Sequence, residues 1–266
     1  MQRVTLEPTQ IHADLIHLTE PQSHYLRRVL RLGEGDRFIA LDGQGQGWVA
    51  SLGGTINHAH ILEPWQCDTE LPTPIHLIIA MPKTGMDDIV RQATELGVAS
   101  ISPVVSDRTI LKPSAKKVDR WRRIAQEAIE QCERQWVPTI VDPIPLVEGL
   151  TLPDSPFPLD VTFPNAQQWI CVARSTIGET DYSPRLLLSM MLETLDDNIK
   201  NQQDITSPIY LAIGPEGGWT PSEVEAAIAL GYEPISLGPR ILRAVTAPLG
   251  AIATIAAVLD HYANQG

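Results

Sequence analysis

The sequence predicts an α/β fold: a C-terminal domain with a mostly parallel sheet, preceded by a small β-rich module. Three observations predict it. From Ile75 onward, apolar strand-like runs alternate with helix-period segments, the pattern of a sheet covered by helices. Before that, short apolar runs are broken by turn residues and hold a single helical stretch. Between the two patterns, Pro64, Pro72 and Pro74 mark a linker, which places the domains at 1–72 and 73–266.

In the first module, Thr19 can cap a helix with Pro21 in its first turn, and Tyr25, Val29 and Leu32 follow at helical spacing. Arg37–Leu41 and Trp48–Leu52 flank the glycine-rich run Asp42–Gly47. No helix follows that run, so it reads as a hairpin turn rather than a dinucleotide fingerprint.

In the second domain, Ile75–Ala80 is a buried strand. Met86, Ile89, Val90, Ala93 and Leu96 share one helical face, and Gly97 ends that helix. Val98–Val105 is the next strand. Ser114 caps a long helix with Val118, Trp121, Ile124, Ala125, Ala128 and Cys132 on its apolar face. Val137–Val141, Trp169–Ala173, Tyr210–Ile213 and Ile235–Leu237 read as strands, with a helix near Pro184–Leu195. The rest of Pro143–Ser207 shows no clear period.

Composition excludes several classes. The 43% hydrophobic content is that of a globular chain. No signal peptide is expected after Met1, and the apolar run Ala244–Leu259 suits a buried helix better than a membrane span. Cys67, Cys132 and Cys171 have no metal-ligand spacing, and His58 and His60 lack a nearby third ligand. A reduced cytoplasmic protein without a metal site is the expectation. The net charge of −12 is unevenly distributed. Val141–Ser207 holds ten acidic and three basic residues, whereas Arg108–Arg134 holds eight basic and four acidic ones. Such separation permits an RNA-facing surface on an acidic chain, although a solvated helix face would look the same.

Chemistry is signalled at two loops. Gly214-Pro215-Glu216-Gly217-Gly218 follows a strand, and Thr220-Pro221-Ser222-Glu223 then forms a capping box that opens a helix. The loop lacks the Lys-Ser/Thr of a P-loop and the spacing of a Rossmann fingerprint. By itself it fits a tight turn as well as a ligand loop. Leu237-Gly238-Pro239-Arg240-Ile241-Leu242-Arg243 also joins a strand to a helix. Arg243 there, beside an apolar run, calls for a partner or an anionic ligand.

Several motifs, in order along nearly the whole chain, resemble one family. They are His24–Arg31 with Gly35-Asp36, Lys83, Ala93–Val98, Asp107-Arg108-Thr109, Arg120-Trp121, Glu127–Arg134, Ile213–Gly218 and Leu237–Ala247. Together they are similar to SPOUT-class RNA methyltransferases, and within them to the RsmE family, which methylates N3 of a uridine in 16S ribosomal RNA. The resemblance implies an N-terminal PUA-like RNA-binding β-barrel, a C-terminal domain with a trefoil knot at about 209–260, a homodimer and the cofactor S-adenosylmethionine. Cofactor contacts would fall at Ala173, at Ile213, Gly214, Pro215, Glu216, Gly217 and Gly218, and at Leu237, Gly238, Ile241, Leu242, Arg243 and Thr246. One departure is plain. The family's Ile-Leu-Arg-Thr-Glu-Thr-Ala reads Ile241-Leu242-Arg243-Ala244-Val245-Thr246-Ala247 here, so no carboxylate stands at 245.

Uridine N3 carries a proton at neutral pH, and ionising it costs about 3 kcal/mol. A cation near O2 or O4 would stabilise the anion. Arg243 is the first candidate and Arg108 the second. RNA contacts are expected from Arg27, Arg28 and Arg31, and from Lys112, Lys116 and Arg120. The partner would be 16S ribosomal RNA or the small ribosomal subunit. A SPOUT enzyme acting on transfer RNA or ribose, a non-enzymatic assembly factor and a small-molecule enzyme are the alternatives.

Overall fold

The computed structural model describes residues 1–151, 166–173, 183–200 and 207–263, with the backbone alone at 196–200. Much of the acidic stretch 143–207 therefore lies outside the described residues. The chain divides into two compact units: Met1–Glu70 with Ala125–Val137, and Leu71–Ile124 with Pro138–Gly266.

The first unit contains β1 (Arg3–Thr5), β2 (Ile11–His12), β3 (Leu15–His17), α1 (Glu20–His24), β4 (Arg37–Leu41), β5 (Gly47–Leu52) and β6 (His58–Trp65). Its six strands form one sheet in the order β1-β4-β5-β6-β3-β2, around a core that includes Leu6, Ile16, Leu26, Phe38 and Leu52. The Thr19 cap forms as expected, with a reciprocal capping box to Gln22. A π-turn over Tyr25–Val29 continues α1 and changes which side chains face inward. Leu26 is buried while Val29 points to solvent, against the helical-face expectation, because a π-turn rotates less per residue than an α-turn. Pro64, expected in a linker, instead sits within β6 opposite Trp48. The segment 125–137 belongs to this unit through bonds as well as packing. Glu130 Oε1 accepts from the Thr5 amide at 2.7 Å, and the buried Arg134 pairs with Glu70 at 2.7 Å.

The second unit contains β7 (Ile75–Ala80), α2 (Met86–Glu95), β8 (Ser100–Val105), β9 (Thr139–Ile140), β10 (Ile144–Pro145), α4 (Leu146–Leu150), β11 (Gln167–Cys171), β12 (Arg185–Leu186), α5 (Leu187–Lys200), β13 (Ile209–Ile213), α6 (Pro221–Ala229), β14 (Glu233–Ser236) and α7 (Thr246–Ala263). Between β8 and β9 runs α3 (Ala115–Cys132), whose residues before Ala125 count with this unit. The strand order is β10-β8-β7-β13-β11-β14-β12, with β9 also on β8. Every described pairing is parallel. β7 is buried at all six positions, His76 included, as a mostly apolar strand covered on both faces is. β13 inserts between β7 and β11, although both precede it in the chain. The strands expected at 98–105, 169–173, 210–213 and 235–237 form within two residues of those bounds, and the helix near 184–195 runs from Leu187 to Lys200. None of the described helices is long and apolar enough to cross a membrane.

Candidate functional site

The two glycine-bearing loops open at the C-terminal ends of β13 and β14, which flank β11 in the parallel sheet. In such sheets ligand crevices form at that edge. Both loops line one cleft of about 450 Å³, a volume that suits a nucleotide-sized ligand.

The first wall is Gly214–Pro221, which follows β13. Its far end is held by the predicted capping box: Thr220 Oγ1 accepts from the Glu223 amide, and Glu223 Oε2 accepts from the Thr220 amide at 2.7 Å. The other oxygen of the buried Glu223 accepts from the Asp107 amide at 2.8 Å. That bond fastens the loop after β8 to the start of α6, and Arg108 stands in this loop. Arg108 donates through Nη1 to the carbonyl of Gly217 at 2.5 Å and to that of Trp219 at 3.4 Å. A Cβ at Gly217 would come within 3.1 Å of Arg108 Cδ, so a side chain there would push the arginine back by a few tenths of an ångström. Trp219 forms the floor; its indole Nε1 donates to the Cys171 carbonyl at 3.1 Å, and its ring lies against Gly214. Glu216 is the carboxylate among the lining residues, and its Oε1 accepts from the Lys83 amide at 2.9 Å.

The second wall is formed by Leu237, Gly238, Arg240, Ile241 and Leu242, with Ala244 just before α7 and Ala247 in its first turn. Gly238 adopts φ +104°, a left-handed conformation that glycine takes without strain, and its amide donates to Ser236 Oγ. Among the described residues, no backbone–backbone hydrogen bond joins Pro239 to Leu242 to another part of the chain. The N–H groups of Arg240, Ile241 and Leu242 and the C=O groups of Pro239–Leu242 thus have no described backbone partner. Ala173, Val172 and Cys171 complete the lining. Burial pushes the Cys171 thiol up to about 12, so it stays protonated at neutral pH and is no nucleophile. Among the described residues, no group of three or more His, Cys, Asp or Glu is disposed to hold a metal ion.

The expected site residues divide clearly. Ala173, Ile213, Gly214, Pro215, Glu216, Gly217, Gly218, Leu237, Gly238, Ile241, Leu242 and Arg108 all line the cleft. Arg243 and Thr246 lie outside its lining, and both are exposed. Trp219 lines it and was not foreseen; Arg240 lines it too, inside the expected loop Leu237–Arg243 but not singled out there. Arg240 was visible only as one more charge in a loop, and nothing local to Trp219 signals its bond to Cys171. Of the expected RNA contacts, Arg28, Arg31, Lys112 and Lys116 are exposed. Arg27 is engaged by the carbonyls of Gly53, Thr55 and Ile56. Arg120 pairs with Asp87 at 2.9 Å, and Asp87 also accepts from Trp121 Nε1.

Residues 69–256 match the family described as an RNA methyltransferase domain, and residues 18–55 match an RNA methyltransferase PUA domain. The ribosomal RNA small subunit methyltransferase E of Synechocystis sp. is 42% identical over 97% of this chain and 78% of its own length. The Bacillus subtilis protein of that name is 28% identical over 96% of each chain. A Neisseria gonorrhoeae enzyme of the same name, solved bound to S-adenosylmethionine, superposes with a TM-score of 0.74 at 28% identity, covering 96% of each chain.

Proposed function

Because the chain belongs to the ribosomal RNA small subunit methyltransferase E family, we propose that it methylates N3 of a specific uridine in 16S ribosomal RNA, using S-adenosylmethionine. The observation that carries this reading is the single cleft shared by residues 214–218 and 237–242. Its features fit the cofactor. Ile213, Leu237, Leu242 and Trp219 supply apolar walls for an adenine ring, and Pro239–Leu242 offer backbone donors and acceptors that have no described backbone partner. Gly214, Gly217, Gly218 and Gly238 leave the backbone bare where a ligand would lie against it. When bound, the cofactor supplies a methyl group activated on a sulfonium.

The chain's own residues supply position and charge. Arg108, held by Gly217 and Trp219, is a fixed cation at the cleft wall, suited to stabilise the uridine anion at O2 or O4. Arg243 adjoins two lining residues, Leu242 and Ala244, and remains the alternative cation from the solvent side. Arg28, Arg31, Lys112 and Lys116 present free positive charge to phosphates. A base that undergoes chemistry must leave its stack, so the target uridine is unpaired or flipped out. We extend the reading to a homodimer and a knot at about 209–260, drawn from the family, to a cytoplasmic location, drawn from the cysteines, and to domains at 1–72 and 73–266, drawn from the proline-marked linker.

The test is mass-spectrometric mapping of 16S ribosomal RNA from cells lacking this protein, with in vitro remethylation by the purified chain. Loss of one 3-methyluridine, restored by protein and S-adenosylmethionine, is expected. An unchanged modification map overturns the reading.

A further inference from the structure

Uridine N3 must lose its proton before it can hold a methyl group, and the cleft has few groups able to take that proton. Among the described residues, the ionisable side chains of the lining are Arg108, Cys171, Glu216 and Arg240. The arginines stay cationic and have no acceptor. Burial keeps the Cys171 thiol protonated. Position 245, just before α7, is valine, and it packs at Gly85, where a Cβ would come within 2.5 Å of Val245 Cγ2. The carboxylates around the cleft have other partners. Glu223 commits both oxygens to the amides of Thr220 and Asp107. Asp107 lies outside the lining and accepts from the Thr220 hydroxyl at 3.3 Å. Asp87 is shared by Arg120 and Trp121. Glu216 remains.

Its placement suits the task. Glu216 is exposed, so a base entering from solvent can reach it. Its Oε1 accepts from the Lys83 amide at 2.9 Å, which fixes the carboxylate. Its Oε2 has no described hydrogen-bond or ion-pair partner. The next residue, Gly217, is the one whose carbonyl holds Arg108. A proton acceptor and a cation are thus anchored at adjacent positions of one loop. Uracil needs them close together. Its N3 lies between the two ring carbonyls, so a group at N3 and a cation at O2 or O4 meet the same edge of the base.

We propose that Glu216 is the general base that removes the N3 proton of the target uridine. The proposal rests on the uridine-N3 methylation reading above. The N3 proton passes to Glu216 Oε2, and the electron pair of the N–H bond stays on N3. That pair lies in the ring plane, where the proton was, so proton removal and methyl bonding are successive events. The anion, stabilised by Arg108, bonds the methyl carbon through N3 as the S–C bond breaks, and the electron pair of that bond returns to sulfur. The sulfonium charge and the anion's charge cancel, and the carboxylic acid of Glu216 then gives its proton to water.

The test is Glu216→Gln, whose side-chain carbonyl can still accept from the Lys83 amide but cannot take the proton. Single-turnover methyl transfer is measured at saturating S-adenosylmethionine. The substrates are small ribosomal subunits reconstituted around transcribed 16S ribosomal RNA, made with uridine or with 5-fluorouridine. Fluorine acidifies N3, so the second substrate ionises more readily and needs the base less. On uridine the variant should be about 100-fold slower than the native chain, and on 5-fluorouridine about 10-fold slower or less. S-adenosylmethionine affinity by calorimetry and the urea midpoint should stay near native values, because the Lys83 bond remains. A variant with the native rate on uridine overturns the proposal alone. So does an equal loss on both substrates, which marks a positioning role, and so does a loss of cofactor affinity with native turnover at saturation, which marks a cofactor contact. A native chain that methylates neither substrate overturns the parent reading with it.

Discussion

The two walls of the cleft are built on opposite plans. The wall from Gly214 to Pro221 is braced from every side: by Glu223 on Thr220 and Asp107, by Arg108 on Gly217, by Trp219 on Cys171 and by Lys83 on Glu216. Among the described residues, the wall from Leu237 to Leu242 has little beyond the Ser236–Gly238 bond and the start of α7, where Arg243 O accepts from Thr246 and Ala247. The contrast teaches how one pocket divides its tasks. A preorganised wall holds charge at no cost during reaction. An unbonded wall keeps its backbone groups free for a ligand, and ordering it draws on binding energy.

Substitutions can break this contrast, and the largest effect should come from the brace itself. Glu223→Ala removes the acceptor of two amides from a buried position. It should cost about 3 kcal/mol in urea unfolding and lower turnover by loosening Arg108. A nearly unchanged unfolding midpoint would show that the first wall is not braced there.

Acid should attack the strand that carries the same wall. His76 on β7 stacks on Tyr210 of β13 at 4.7 Å and bonds Ser100 Oγ at 2.8 Å, and burial lowers its pKa to about 4. The unfolded chain binds this proton at about 6.5 and the folded chain only near 4, so stability is whole above pH 6.5 and falls as pH drops between them. About 2 kcal/mol should be gone by pH 5, and His76→Gln should flatten that part of the pH–stability curve.

Turnover should separate the two arginines. Arg108→Ala is expected to lower the single-turnover rate about 100-fold with cofactor affinity nearly intact. Arg243→Ala, from an exposed position outside the lining, should cost less. The reverse ranking would move the charge stabilisation to the second wall. The smallest effect belongs to that wall: Gly238→Ala must hold φ +104°, so it should lower stability in urea unfolding by about 1–2 kcal/mol and weaken S-adenosylmethionine binding by calorimetry.

Local order was legible without a structure. The Thr220–Glu223 capping box, the fully buried β7, the apolar face of α2 and the hairpin around Asp42–Gly47 each depend on residues within a few positions of one another. Propensity, periodicity and cap chemistry act at that range. The family, too, was readable from motifs spread along the chain. Tertiary structure alone decided which distant groups meet. It put Glu223 on Asp107, Arg108 under Gly217 and Trp219 on Cys171, and it left Arg243 outside the cleft that its own loop lines. It also directed Arg27 to a turn. Those outcomes follow from strand order and register. Both are set by the summed packing of residues far apart in sequence, and no window of neighbouring residues contains that sum.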